Sequence, residues 1–173
     1  GGHCIPVYPH FVTNRVSEAP LLDTAREVNN SMPGHTVDLL RAALTEHDLS
    51  LSDASVLVLG LTYRPGVNEL RYAPAIEVIR LLHDADAEVY VHDPLVDSET
   101  ISELGATPVS NPTEAREIDG LVLVTGHEEY ADLDAELLSK TMATPILVDG
   151  RAFLEPERFP GFDYVAIGKS TES

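Results

Sequence analysis

The single cysteine of this 173-residue chain, Cys4, lies in a Gly-Gly-His-Cys segment at residues 1–4. A glycine pair lets the backbone approach a reacting carbon atom closely, and a neighbouring imidazole such as His3 can favour the thiolate. A thiolate in this setting can form a thiohemiacetal or a thioester. A buried structural cysteine is the commoner role of a lone thiol, so both interpretations stay open here. A zinc site is disfavoured, because His3, Cys4 and His10 do not match a standard ligand spacing.

A second candidate site is the connection over residues 60–74 (GLTYRPGVNELRYAP), between an apolar run and a helical segment. This is the position where α/β folds bind nucleotides, yet the connection has neither the GxGxxG fingerprint nor a P-loop. The residues it offers are Tyr63, Arg64, Asn68 and Arg71. Arginine suits phosphate or carboxylate. Pairing of Arg64 and Arg71 with acids such as Glu69 and Glu77 is an equally good interpretation.

A third candidate is Asp149-Gly150-Arg151, which directly follows another apolar run. Arg151 could reach an anion there, because ligands bind beyond the carboxyl ends of parallel strands. A plain Asp-Gly turn with a solvated arginine is the alternative. Asp93-Pro94 closes the second apolar run, and there we expect a strand end rather than a ribose-binding acid.

The apolar pattern predicts the elements that must position these residues. Residues 1–16 are expected to be a loop, and apolar residues at helical spacing predict one kinked helix or a helical pair over 18–47. Residues 50–173 alternate short apolar runs with helical segments, which predicts βαβ units. The strand predictions are 55–59, 88–92, 121–125, 146–148 and 164–167, and the helix predictions are 74–82, 112–117 and 132–139. The expected fold class is therefore α/β, with a long helix followed by an open, mostly parallel, Rossmann-like sheet of about five strands that carries helices on both faces.

Charge excludes several classes of partner. Eleven basic residues against 29 acidic ones give a net charge of −18, which repels nucleic acids and anionic membranes. No apolar run approaches the roughly 18 residues of a membrane span. We therefore expect a cytoplasmic protein with neither nucleic acid nor membrane as a partner. The acids are spread along a chain with only two lysines, Lys140 and Lys169, which is typical of a salt-adapted cytoplasm, although an ordinary acidic bacterial protein is the alternative.

Four segments of the chain carry a family resemblance in their order and their residues. They are residues 1–7 (GGHCIPV), 25–33 (AREVNNSMP), 60–74 and 149–151 (DGR). Together they resemble the carboxyl-terminal part of the UDP-glucose/GDP-mannose dehydrogenase family, most closely its UDP-N-acetylmannosamine and UDP-N-acetylglucosamine types. The resemblance implies a catalytic cysteine loop at 1–16, a central dimerisation helix at 17–49 and a UDP-sugar-binding, Rossmann-like domain at 50–173. It also implies that an amino-terminal NAD-binding domain is absent from this sequence.

The resemblance implies a chemistry as well. NAD, bound mainly by the absent amino-terminal domain, would oxidise the C6 alcohol of a UDP-sugar to a carboxylate. Cys4 would hold the intermediate as a thiohemiacetal and then as a thioester. The implied substrate-binding residues are Gly1, Gly2, His3, Tyr63, Arg64, Arg71 and Arg151. Arg151 would also face the cofactor, and no metal is expected.

Two positions depart from the family pattern. Arg64 stands where the family usually has a lysine, and Tyr8 stands where it commonly has an acid that helps to activate water. The chain alone is not expected to be active. A non-catalytic nucleotide-binding or dimerisation module is the alternative function, and a cysteine-dependent hydrolase ranks last because no pair of a base and its orienting group is evident.

The net charge of −18 predicts that folding depends on salt. Self-repulsion should loosen the chain at low ionic strength, and screening should restore it, because the Debye length falls from about 30 Å at 0.01 M salt to about 3 Å at 1 M. We expect the melting temperature to be higher at 1 M than at 0.01 M sodium chloride in a calorimetric scan. Equal melting temperatures would contradict the salt-adaptation interpretation.

Overall fold

The computed structural model describes residues 1–2, 4–16 and 18–168. Within these ranges six strands form one parallel sheet in the order β3-β2-β1-β4-β5-β6. The strands are β1 (Ser55–Leu59), β2 (Glu88–His92), β3 (Thr107–Pro108), β4 (Ile118–Leu123), β5 (Met142–Asp149) and β6 (Asp163–Ala166). The helices are α1 (Cys4–Thr13), α2 (Pro20–Glu46), α3 (Pro74–Asp84), α4 (Ser98–Glu103) and α5 (Ala135–Thr141). The expected α/β class with a parallel, Rossmann-like sheet is confirmed.

The central strands are apolar throughout because both faces of the sheet are covered. In β1, Val56 and Val58 pack into the core beneath α2 and α3. The alternate residues Leu57 and Leu59 belong to a second core on the opposite face, which includes Tyr130. Side chains of a strand point alternately to the two faces, so a continuous apolar run is the pattern of a strand buried on both sides.

Helix α2 runs unbroken from Pro20 to Glu46, so the kinked helix or helical pair expected around Pro33 is one helix. Its carboxyl-terminal half packs on the sheet through Val37, Leu40 and Leu44, all of them buried. This packing compensates for the backbone hydrogen bond that a proline removes from a helix. The first half of α2 is largely exposed, with Leu21 81% accessible.

Several sequence expectations are wrong in detail. Residues 4–13 form the helix α1 rather than a loop, even though Pro6 and Pro9 lie within it. The segment 112–117 contains only a 3₁₀ turn at Pro112–Glu114, and the helix expected at 132–139 is α5, which is preceded by a 3₁₀ segment at Glu128–Asp132. The sequence pattern did not indicate β3 or α4, because two and six residues are too short to show a period. None of the described helices is both long and apolar enough to cross a membrane.

The strand order reverses between β1 and β4, which is where open α/β sheets usually bind their ligands. In this protein the backbone closes that crevice. Gly60, directly after β1, has a φ of +84°, and a Cβ atom there would lie 2.2 Å from the carbonyl oxygen of Thr125. The segments that follow β1 and β4 therefore touch each other.

The Gly60→Ala variant should measure how tightly this crevice is closed. A left-handed alanine costs about 1–2 kcal/mol, and a Cβ in contact with the Thr125 backbone should bring the loss to about 3 kcal/mol or more. Gly66→Ala is the matched control, because Gly66 also has a positive φ (+71°) but nothing lies within 4 Å of the added Cβ. We expect the control to lose only the strain of about 1–2 kcal/mol. Urea unfolding of both variants measures the difference, and equal losses would contradict the close packing at Gly60.

Candidate functional site

The carboxyl edge of the sheet holds a cavity of about 600 Å³, within the usual range for a small-molecule site. It lies on the face covered by α2 and α3, beside the segments that follow β4, β5 and β6. Residues that line it include Gly1, Asn29, Asn30, Thr36, Val124 and Arg151. Tyr72 and Pro74 line it as well, so the cavity brings together all four of the sequence segments that resemble the dehydrogenase family.

The glycine pair at the start of the chain fits against the loop at 60–74. A Cβ atom on Gly1 would lie 2.8 Å from the carbonyl oxygen of Tyr72 and 2.9 Å from Cδ of Pro74. Gly2 has a φ of +70°, and a Cβ there would lie 2.8 Å from Cε2 of the Tyr63 ring. A side chain at Gly1 would have to displace the Tyr72 backbone and one at Gly2 the Tyr63 ring, so glycine suits both positions. Tyr63 thus supports the Gly1–Gly2 turn from below, and His3 lies outside the described residues.

Cys4 is the first residue of α1 and is exposed among the described residues, so it is not part of this chain's core. Its thiol is open to a reactant from outside the fold. Tyr8 is also exposed on α1, and its ring lies 6.0 Å from that of Phe11.

Arg151 reaches the cavity because a buried carboxylate fixes the turn before it. Asp149, at the end of β5, is fully buried and accepts hydrogen bonds from the backbone N–H of Arg151 at 2.9 Å and of Leu154 at 2.7 Å. The hydroxyl of Tyr164 donates to the same carboxylate at 2.9 Å. Burial raises the pKa of Tyr164, and the charge of Asp149 raises it further, so this phenol stays protonated as a donor. The Asp149-Gly150-Arg151 segment is thus both a fixed turn and an edge of the cavity.

Arg64 and Arg71 do not line the cavity. The Arg64 guanidinium lies 5.6 Å from the centroid of the Tyr63 ring, in cation–π geometry. Arg71 is 3.7 Å from Glu69, so the pairing with an acid that the sequence left open occurs for this residue. Glu77 pairs with Arg80 instead, and this hydrogen-bonded contact lowers the pKa of Glu77. Both loop arginines are exposed, on the outer side of the loop.

Helix α2 contributes polar residues to the cavity that sequence reasoning did not single out. Arg26 donates a hydrogen bond to Asn29 at 2.8 Å and a second one to Asn30. Asn29 and Asn30 line the cavity, so Arg26 lies beside it through these two hydrogen bonds. These residues lie in the segment 25–33, and the resemblance of that segment to the family was the sequence feature that could have located them.

A second cavity of about 560 Å³ opens beside the end of β2, on the other side of the carboxyl edge. Its lining includes the carboxylates of Glu129, Asp132 and Asp134, whose charge disfavours a diphosphate. Burial lowers the pKa of His92, which also lines it, so this imidazole supplies no positive charge at neutral pH. The cavity between α2 and the sheet is therefore the better candidate for an anionic nucleotide.

A buried polar cluster lies beneath the loop at 60–74. Asp93, at the end of β2, and His127, after β4, are 5% and 1% exposed, and their carboxylate and imidazole meet at 3.0 Å. Asp93 was expected to mark only a strand end, and His127 was not singled out at all. Neither residue lines the cavity.

Comparison with known proteins agrees with this geometry. Residues 57–156 match the model described as "UDP-glucose/GDP-mannose dehydrogenase family, UDP binding domain". The UDP-N-acetyl-D-mannosamine dehydrogenase of Pyrococcus horikoshii is 31% identical over 98% of this chain and 38% of its own length. The UDP-N-acetyl-D-glucosamine 6-dehydrogenase of Pseudomonas aeruginosa is 29% identical over 91% of this chain and 39% of its own length.

Solved structures give the same result. The structure of UDP-D-ManNAc dehydrogenase from Pyrococcus horikoshii superposes with a TM-score of 0.87 at 31% identity, over 97% of this chain and 38% of that one. The NDP-N-acetyl-D-galactosaminuronic acid dehydrogenase of Methanosarcina mazei superposes with a TM-score of 0.81 at 29% identity, over 98% of this chain and 38% of that one. The chain therefore spans about two fifths of the length of these relatives. By its sequence and its fold, this chain belongs to the UDP-glucose/GDP-mannose dehydrogenase family and carries that family's UDP-binding domain.

Proposed function

We propose that this chain is the nucleotide-sugar-binding and cysteine-bearing part of a dehydrogenase that oxidises the C6 alcohol of a UDP-sugar to a carboxylate. The observation that carries the proposal is the cavity of about 600 Å³ that joins Gly1, Arg151 and α2, with the exposed Cys4 three residues from Gly1. The relatives named as UDP-sugar dehydrogenases support the same reaction class. The cytoplasmic location remains a prediction.

In this proposal the cavity holds the diphosphate end of the substrate. Arg151 lines the cavity and Arg26 is hydrogen-bonded to Asn29 and Asn30, which line it, so both guanidiniums would supply positive charge there in a chain of net charge −18. Guanidinium groups bind phosphate oxygens through charge-assisted hydrogen bonds. The Gly1–Gly2 turn lets the backbone approach the sugar without an intervening side chain.

The residues of the loop, and His3, have a secondary part in this proposal. Tyr63 supports the glycine turn, while Arg64 and Arg71, which do not line the cavity, remain substrate-binding residues that the family resemblance alone suggests. His3, between Gly2 and Cys4 in the sequence, remains a substrate-binding residue that the family resemblance alone suggests.

The residues present do not fit NAD within this sheet. The crevice between β1 and β4 is closed where Gly60 meets Thr125, and the connection over 60–74 lacks the glycine-rich turn that receives a pyrophosphate. We therefore place the hydride acceptor in the part of the relatives that this chain does not span. Arg151, at the mouth of the cavity, is the residue that we expect to face it.

Cys4 would carry the reacting carbon. Its sulfur adds to the carbonyl carbon of the sugar aldehyde and forms a C–S bond, which gives a thiohemiacetal. The thiohemiacetal would become a thioester by losing a hydride to the acceptor outside this chain and a proton from its hydroxyl group. Water then adds to the thioester carbon and the C–S bond breaks, which releases the carboxylate and returns the thiol. Tyr8 offers no carboxylate at the position where the family commonly has an acid, so another group must activate that water.

The first half of α2, together with α1, is proposed to form the interface of a homodimer. Apolar side chains are exposed along both helices, among them Ile5 (55%), Phe11 (64%), Leu21 (81%) and Val28 (57%). A second copy of the chain would bury this surface, since contiguous apolar patches mark interaction sites.

The Cys4→Ser and Cys4→Ala variants of the full-length protein test the covalent role. We expect Cys4→Ala to abolish carboxylate formation and Cys4→Ser to reduce it far below the wild-type rate, while both leave the affinity for UDP nearly unchanged, because Cys4 does not line the diphosphate cavity. Serine retains an oxygen nucleophile that is weak without a strong base, so an ester should form or hydrolyse slowly. Absorbance of NADH measures turnover, mass spectrometry of the peptide that contains residue 4 detects a trapped adduct, and calorimetry measures UDP binding. Turnover at the wild-type rate in Cys4→Ala would reject the covalent mechanism.

A further inference from the structure

The buried pair of Asp93 and His127 has no part in the chemistry proposed above, yet it lies directly beneath the loop that supports the site. The side chains are 0% and 1% accessible; Asp93 directly follows β2, and His127 lies in the segment after β4. Burial of a carboxylate is costly unless hydrogen bonds satisfy it, so such a pair is weak evidence for a purely stabilising role.

The carboxylate of Asp93 holds the start of the loop. Its Oδ2 atom accepts hydrogen bonds from the backbone N–H of Leu61 at 2.6 Å and of Thr62 at 3.1 Å. Its Oδ1 atom accepts from the backbone N–H of Leu95 at 2.8 Å, which fixes the carboxylate itself. The first two residues of the loop after Gly60 are therefore tied to the end of β2.

The imidazole of His127 holds two further points of the same loop. Its Nε2 atom lies 3.0 Å from Oδ2 of Asp93 and 3.0 Å from the hydroxyl oxygen of Thr62. The backbone N–H of Gly66 donates to Nδ1 at 3.4 Å. Since Nδ1 accepts, the ring proton lies on Nε2, where Asp93 and Thr62 both accept it. The Thr62 hydroxyl in turn donates to the carbonyl oxygen of Arg64 at 3.2 Å.

These contacts bracket Tyr63, the residue that supports the Gly1–Gly2 turn. Thr62 and Gly66 lie on either side of Tyr63 and Arg64 in the sequence, and both are bound to one imidazole ring. The Tyr63 ring packs beneath Gly2, and its Cβ would lie 3.2 Å from a Cβ on Gly1. A continuous set of contacts therefore runs from the buried pair to the edge of the cavity.

We propose that His127, held by Asp93, is a positioning residue that fixes the loop at 60–66 and, through Tyr63, the glycine turn of the nucleotide cavity. The part of the proposal that links the fixed loop to UDP affinity rests on the function proposed above. The positioning of the loop itself does not, because it follows from contacts within the chain.

Five variants of the ¹⁵N-labelled chain separate these contacts. His127→Ala removes the contacts of both ring nitrogens. His127→Gln retains a donor near the Nε2 position, and His127→Asn retains an acceptor near the Nδ1 position. Thr62→Val removes one hydroxyl and keeps the imidazole, so it serves if His127→Ala does not fold. Thr141→Val is the matched control, because it removes another buried threonine hydroxyl, which donates to the carbonyl oxygen of Leu138 at 2.8 Å, away from the loop.

Two quantities are measured by NMR, the amide exchange rates of Leu61, Thr62 and Gly66 and the Kd for UDP. In His127→Ala and Thr62→Val we expect these amides to exchange faster and the Kd to rise by about tenfold. That is the factor for a loop which holds its binding geometry about a tenth of the time. In His127→Gln and in His127→Asn, the exchange rates and the Kd should each return part of the way to the wild-type values. Thr141→Val should change neither the exchange rates nor the Kd by more than its loss of stability explains. The ring nitrogen shifts of the wild type should place the His127 proton on Nε2.

The proposal would be overturned if the loop amides of His127→Ala or Thr62→Val exchange at the wild-type rate. This comparison is made after correction for the loss of stability, with Thr141→Val as the reference. A wild-type Kd alongside faster exchange would overturn the step from the loop to the cavity. If the wild type itself shows no UDP-dependent shifts, the proposed function fails, and the exchange rates still decide whether His127 positions the loop.

Discussion

Two buried carboxylates fix the loops at the carboxyl edge of the sheet, and the arrangement of the site depends on them. Asp93 accepts three backbone N–H groups beyond the end of β2, and Asp149 accepts two beyond the end of β5. Chain that leaves a strand must find new partners for its N–H groups, and a buried carboxylate can accept several of them at once. Each carboxylate therefore fixes the segment that follows a strand. Asp93 fixes the loop that carries Tyr63, and Asp149 fixes the turn that carries Arg151.

This fixing determines where a ligand has space. The crevice between β1 and β4, where Rossmann-like sheets commonly bind, is closed because the Thr125 hydroxyl donates to the carbonyl oxygen of Thr62 at 2.5 Å and Gly60 packs on the same segment. The available volume lies instead between the sheet and α2, at the point where Gly1 and Arg151 meet. A diphosphate bound there would lie near an exposed cysteine without any dinucleotide site in the same sheet. This arrangement agrees with a chain that spans about two fifths of its relatives' length.

Long periodic patterns made much of this fold predictable. The spacing of apolar residues predicts the helix Pro20–Glu46, and unbroken apolar runs predict the buried strands. The strand Thr107–Pro108 has too few residues for any period, and the helix Cys4–Thr13 was hidden by two prolines that normally indicate a loop. The pairing of Asp93 with His127 could not be predicted, because 34 residues separate them and only the parallel order of the strands brings their ends together. The segments that resemble the family located Gly1, Tyr63 and Arg151, but not the buried contacts that hold them in place.

The most direct measurement is a crystal structure of the full-length protein with UDP bound. We expect both phosphorus atoms to lie in the cavity between Gly1 and Arg151, on the α2 side of the sheet, with the closed contact between Gly60 and Thr125 unchanged. Phosphorus atoms located between the ends of β1 and β4, with those two segments moved apart, would contradict the account.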